Sequence, residues 1–134
     1  MSRISLEQAN AIIAAALAKG QALSLKPLTV AVLDVGGCLI ALQRQDGASN
    51  LRPQIAIGKA NGALALGTSS RKIGEMAQDR PTFFAALGPI AAQGVIPAAG
   101  GIILVDETGA PRIRDLEDAR EHLHESWQLA PCAA

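Results

Sequence analysis

LTVAVLDVGGCLIALQRQDG, residues Leu28 to Gly47, has the sequence marks of a β-hairpin, and the rest of the chain reads as cover for it. Two β-rich runs, Thr29 to Val35 and Leu39 to Gln45, flank Gly36-Gly37, a pair able to take the positive φ angles of a tight hairpin turn. Apolar positions run almost unbroken through Val30, Val32, Leu33, Val35, Leu39, Ile40 and Leu42. That continuity predicts a sheet covered largely on both faces. Polar groups collect at the two ends: Asp34 before the turn, Arg44 and Asp46 beyond the second strand.

Working outward, Ser5-Leu6-Glu7-Gln8 has capping-box spacing and opens a helix whose apolar stripe is Leu6, Ala9, Ile12, Ile13, Ala16 and Leu17. Its exit lies between Lys19-Gly20 and Ser24, and Pro27 leads into the first strand. On the other side, Asp46 to Asn50 reads as a loop, and Pro53 begins a second helix that stops at Gly67. Gly58 and Gly62 inside that helix predict a close approach by another helix or by the sheet. Ser69 or Ser70 caps a third helix carrying Ile73 and Met76. Asp79-Arg80-Pro81 reads as a further capped start, with Phe83, Phe84 and Leu87 as its apolar mass. Gly94 to Pro97 and Gly101 to Val105 are strand candidates, and Asp106 to Gly109 is a turn.

The length, 134 residues, suits a single domain over residues 1–134 with a sizeable core. With so few aromatics, that core is built from Ala, Leu, Ile and Val. Twelve basic and twelve acidic residues balance to no net charge, which argues against a nucleic-acid surface, where a basic stripe is expected. Cys38 and Cys132 are too few and too far apart for a disulfide scaffold or zinc cluster, so both read as reduced thiols. No stretch has the apolar length to span a bilayer, and the N-terminus lacks a signal-peptide layout. A cytoplasmic protein with no membrane partner is the expectation.

VAVLDVGGCLIALQRQDG (30–47), AIGKANGALALG (56–67) and VIPAAGGIILVDETGAP (95–111), taken in order, resemble the GlcG/HbpS-like family. This family includes the C-terminal domain of PduO-type proteins and carries haem-binding and haem-degrading labels. The resemblance covers Leu6 to Ile113 and implies an α/β (α+β) fold: an antiparallel sheet of four to five strands flanked by helices in a profilin-like three-layer arrangement. It also implies a homo-oligomer and a small ligand, with haem or another tetrapyrrole as the cofactor. Residues 112–134 depart from the family pattern. Charged residues take over there, and from Asp115 the positions Leu116, Ala119, Leu123 and Trp127 form a helical stripe.

The candidate ligand-binding residues are Asp34, Arg44, Lys59, Gly100 and Gly101, all inside the family-like motifs. Each has an ordinary structural account beside the functional one. Asp34 can serve the turn, Arg44 can pair with Asp46, Lys59 can snorkel to solvent, and Gly100-Gly101 can mark tight packing or a bulge. Haem needs an iron donor, normally His, Cys, Met or Tyr. The histidines, His122 and His124, both lie in the divergent segment, two residues apart and so on different sides of a helix. Cys38 and Met76 are the other donor types. No metal cluster, phosphate loop, dinucleotide fingerprint or nucleophile triad is present. Three functions remain open: binding of a small ligand such as haem, an enzyme or accessory acting on a small carboxylic acid or cofactor through Asp34, Arg44 and Lys59, and a structural assembly subunit.

Overall fold

The structure is a computed structural model that describes residues 4–105. Helix α1 spans Leu6–Ala22 and starts where its cap predicts: the Ser5 hydroxyl accepts from the Gln8 N–H at 3.1 Å, and the Gln8 side-chain carbonyl accepts from the Ser5 N–H at 2.9 Å. Ala9, Ile12, Ile13 and Ala16 form its buried face, while Leu6 is 60% exposed and lies off the stripe. The helix ends at Ala22, past Gly20, and Ser24, with a φ of 53°, turns the chain toward Pro27.

Strands β1 (Thr29–Leu33) and β2 (Leu39–Arg44) pair antiparallel, with Thr29 opposite Arg44 and Leu33 opposite Leu39. The turn between them is wider than the glycine pair predicts. The Asp34 N–H donates to the Cys38 carbonyl, the Gly37 N–H donates to the Asp34 carbonyl, and of the two glycines only Gly37 takes a positive φ, 82°. An irregularity between Val32 and Leu33 accompanies this wider closure. Val35 and Leu39 beside the turn are about half exposed, so the apolar run is not covered along its whole length.

Helix α2 (Arg52–Leu66) follows with Pro53 in its first turn and ends at Gly67 in the left-handed conformation, φ 65°. Helix α3 (Ser70–Asp79) is capped by the Ser69 hydroxyl rather than by Ser70. Helix α4 (Pro81–Leu87) begins without the expected side-chain cap: Arg80 occupies that position and lays its guanidinium over the Phe83 ring at 4.3 Å, and a 3-10 turn, Gly88–Ile90, closes the element. Helices α1 and α2 both pack on the hairpin and not on each other. The main core joins Ala9, Ile12 and Ile13 of α1 to Val32, with Val30, Ile40 and Leu104 at its margin.

The fold is mixed α+β, and among the described residues the sheet has two strands. Gly94 to Pro97 and Gly101 to Leu104 are not strands, and Val105 forms a single bridge. Gly94, Ala99 and Gly101 of this segment are bonded to residues of α2 and α3 instead of to a described strand. The Gly94 carbonyl accepts from the Asn61 amide, the Ala99 carbonyl from Lys59, and both backbone groups of Gly101 bond to Ser70. The Asp106 turn and the C-terminal stripe lie outside the described residues.

Candidate functional site

Two places in the fold gather the polar residues singled out by the sequence, at opposite ends of the hairpin. The first is the junction of the hairpin turn, α2 and the segment 93–101. The stripe Gly58-Gly62 on α2 lets this extended segment, rather than a helix or a strand, come close. A Cβ on Gly58 would stand 2.7 Å from Ile96 Cγ1, and one on Gly62 3.0 Å from Val95 Cγ1. Gly74 of α3 does the same for the Pro97 carbonyl, 2.9 Å from where its Cβ would be.

Lys59 sits at the end of that seam, and the structure overturns its reading as a solvated, snorkelling lysine. It is only 7% exposed, and its Nζ donates to the Ala99 carbonyl at 3.0 Å. Gly100 and Gly101 lie directly against it. Gly100 has φ 125°, with the Lys59 Nζ 3.6 Å from its Cβ position, and Gly101 passes over the Lys59 backbone carbonyl. Ser70, fully buried, closes the ring: its hydroxyl accepts from the Gly101 N–H at 2.7 Å, and its own N–H donates to the Gly101 carbonyl at 2.9 Å. Lys59, Gly100 and Gly101 are therefore brought together, and Ser70 joins them.

Asp34 stands at the hairpin mouth on this side. One oxygen, Oδ1, accepts from the N–H groups of Gly36 and Cys38, both at 2.9 Å, so the carboxylate organises its own turn. The Gln93 amide reaches across to the Gly37 carbonyl and ties the turn to the segment 93–101. Asn61 and Gln93 were not singled out from sequence, and Ser70 was read there only as a possible helix cap. The legible signal for Asn61 was a lone amide amid Ala and Gly on α2; Ser70 and Gln93 show their roles only through contacts more than 30 residues away.

Arg44 is at the far end of β2, opposite Thr29, while Asp34 lies five residues along from Thr29. That separates them by roughly 16 Å along the strand, so they do not flank one small substrate. Arg44 donates to the Ala48 carbonyl rather than pairing with Asp46. Together with Gln43 and Asp46 it lines an open groove of about 550 Å³, whose other wall is Leu17 and Gln21 of α1 with Leu25 and Pro27. The groove sets Leu17, Leu25 and Pro27 beside the Arg44 guanidinium, the Asp46 carboxylate and three side-chain amides, a surface suited to a small ligand with both apolar and polar parts.

Haem would need an iron donor facing such a wall. Among the described residues no cluster of His, Cys, Asp and Glu can hold a metal ion. Cys38 is exposed in the hairpin turn, Met76 is half buried in α3, and neither lines the groove. His122 and His124 lie outside the described residues. As nucleophiles, Ser70 is buried against Gly101 and no described histidine can activate Ser69 or Cys38.

The family description haem-degrading protein, HbpS-like, matches residues 4–111. The chain belongs to the HbpS-like family. The HbpS-like match ends just before the segment in which the sequence departs from the pattern. Solved structures agree on the fold. Klebsiella pneumoniae protein ORFY, of the family DUF336, superposes with a TM-score of 0.72 at 20% identity, over 97% of this chain and 94% of that one. HbpS does so with a TM-score of 0.71 at 22% identity, over 97% and 92%. A double mutant of Streptomyces reticuli HbpS gives 0.70 at 22%, over 97% and 89%. No curated protein matches the chain. No helix among the described residues is long and apolar enough to cross a membrane.

Proposed function

We propose that this HbpS-like chain binds a small amphipathic carboxylate, with haem or another tetrapyrrole as the ligand its family points to. The observation that carries the reading is the groove between α1 and the end of β2, which Arg44 lines together with Leu17, Leu25 and Pro27. A propionate on Arg44 and a macrocycle face on the aliphatic side use both halves of that surface. Lys59, Gly100 and Gly101 serve as the lock that holds the segment 93–101 on α2, and Asp34 as the organiser of the hairpin turn. The groove supplies no iron ligand, so this binding runs through the periphery of the macrocycle.

The test is titration of the purified chain with haemin, following absorbance and melting temperature together, on the parent and on Arg44→Ala. The expected result is a saturable, stabilising complex whose affinity falls about tenfold in the variant, one charge-assisted contact being worth about 1.5 kcal/mol or more. Equal affinity in both proteins removes the groove from the reading. Arg44 in an open groove also favours a second reading, an enzyme or accessory handling a small carboxylic acid. Small dicarboxylates that stabilise the parent where haemin does not would select it.

The same reading takes the sheet to be completed to four or five strands in profilin-like layers, which the likeness to HbpS over most of the chain supports. It takes the protein to be a homo-oligomer, for which the exposed Val35, Leu39 and Leu51 offer apolar surface, and cytoplasmic, where an exposed free Cys38 stays reduced. If it binds neither haemin nor small acids, that apolar surface supports a purely structural assembly subunit.

A further inference from the structure

The groove between α1 and the end of β2 holds two opposite charges that do not pair. Arg44 and Asp46 both line it, two residues apart, which keeps their Cα atoms within about 7 Å. Yet the Arg44 guanidinium donates to the Ala48 carbonyl, and among the described residues Asp46 has no ion-pair partner.

The backbone between them explains the arrangement. The Gln45 N–H donates to the Leu28 carbonyl at 2.8 Å and the Ala48 N–H to the Gln45 carbonyl at 3.1 Å, with Gly47 at a φ of 84° in between. This tight turn buries Ala48 and brings its carbonyl to Arg44, so the guanidinium is held by the same turn that carries Asp46. A further bond, from the Leu28 N–H to the Gln45 side-chain carbonyl at 2.8 Å, fastens the turn to the entry of β1. Both charged groups thus stand on a braced loop, and the guanidinium keeps further N–H groups for a ligand.

Charge selects the class of that ligand. A molecule with a carboxylate alone brings it to Arg44 and also to the Asp46 carboxylate, and a molecule with an amine alone meets the reverse conflict. One that carries both charges satisfies both groups at once. An α-amino acid has its ammonium and carboxylate on a single carbon, a short span that suits two side chains rooted so close together. Its own side chain is left for Leu17, Leu25 and Pro27.

We propose that the groove binds an α-amino acid with an aliphatic side chain, Arg44 holding the carboxylate and Asp46 the ammonium. The proposal rests on the reading of this groove as the ligand surface, and it narrows the carboxylate to one that also carries a positive charge.

The test compares three molecules of one shape: L-leucine, 4-methylpentanoate, which lacks the ammonium, and 3-methylbutylamine, which lacks the carboxylate. Each is titrated into the isotopically labelled full chain, and the amide signals of residues 17–26 and 43–48 are followed by nuclear magnetic resonance. L-leucine should saturate their shifts at a concentration about tenfold lower than either analogue, one charge-assisted contact being worth about that factor. Asp46→Asn should lose the preference for L-leucine over 4-methylpentanoate, and Arg44→Gln the preference over 3-methylbutylamine. Asp46 is exposed, so its variant keeps the fold, which the unshifted remainder of the spectrum checks. Either analogue bound by the parent as tightly as L-leucine overturns the proposal; where that analogue is 4-methylpentanoate, the carboxylate reading still stands. L-leucine bound equally well by Asp46→Asn overturns it too. So does the absence of any response to all three, after which the haemin titration decides the carboxylate reading by itself.

Discussion

Replacing Gly101 by Ala tests the lock between the segment 93–101 and α2 more sharply than any other single change. The added methyl would lie on the Lys59 backbone carbonyl, 2.6 Å from its carbon and 3.0 Å from Ser70 Oγ. Backbone cannot swing away as a flexible side chain can, so the segment must lift from the helix. Lifting it breaks the two bonds between Gly101 and Ser70 and strains the bond from Lys59 to Ala99. Overpacking of this kind costs about 1–3 kcal/mol, and a buried polar group left unsatisfied about 1–3 kcal/mol more, which places the total near 2–6 kcal/mol. With stability of order 5–15 kcal/mol and about 3 °C per kcal/mol at this chain length, the melting temperature should fall by about 6 °C or more. Differential scanning calorimetry on Gly101→Ala provides the measurement. Ala14→Gln is the control, because Ala14 is exposed on α1 and both residues are good helix formers. A Gly101→Ala protein that melts within about 2 °C of the parent, while the control is also neutral, would refute the packing argument.

Three further outcomes are expected. Asp34→Ala removes the acceptor of two turn N–H groups and should cost about 1.5–3 kcal/mol in denaturant unfolding, whereas Asp34→Asn, which keeps an oxygen there, should cost much less; equal losses would mean the charge matters more than the turn. Lys59→Met keeps the length of the side chain but leaves the Ala99 carbonyl without its donor, and should destabilise by about 1–3 kcal/mol; hydrogen exchange should locate the loosening in residues 93–101. Ser5→Ala breaks the capping box of α1 at a cost of about 1 kcal/mol, seen as a lower urea midpoint with an unchanged slope.

Local chemistry was legible wherever a residue acts on its own neighbours. The Ser5 cap, the Gly67 stop and the buried stripe Ala9-Ile12-Ile13-Ala16 are set by interactions a few residues apart, and they stand where the sequence puts them. The hairpin was legible for the same reason, though its turn was not. The Asp34 carboxylate competes for the Gly36 and Cys38 amides, and that local bonding widens the closure beyond a two-residue glycine turn. The Gly58-Gly62 stripe announced a close neighbour without naming it, because a missing Cβ makes room for any backbone.

The sequence alone determined the helices and the hairpin of this protein and its membership of a family, since helix caps, turn glycines and apolar periodicity act over short range, but its strand candidates at Gly94 to Pro97 and Gly101 to Val105 did not form as read. Tertiary structure alone decided what the polar residues do. It buried Lys59 under Ala99 and Gly100, joined Ser70 to Gly101 and Gln93 to Gly37, and set Asp34 and Arg44 at opposite ends of the hairpin. Those outcomes depend on which backbone carbonyl arrives beside a side chain from 30 to 60 residues away, and no local spacing encodes that meeting.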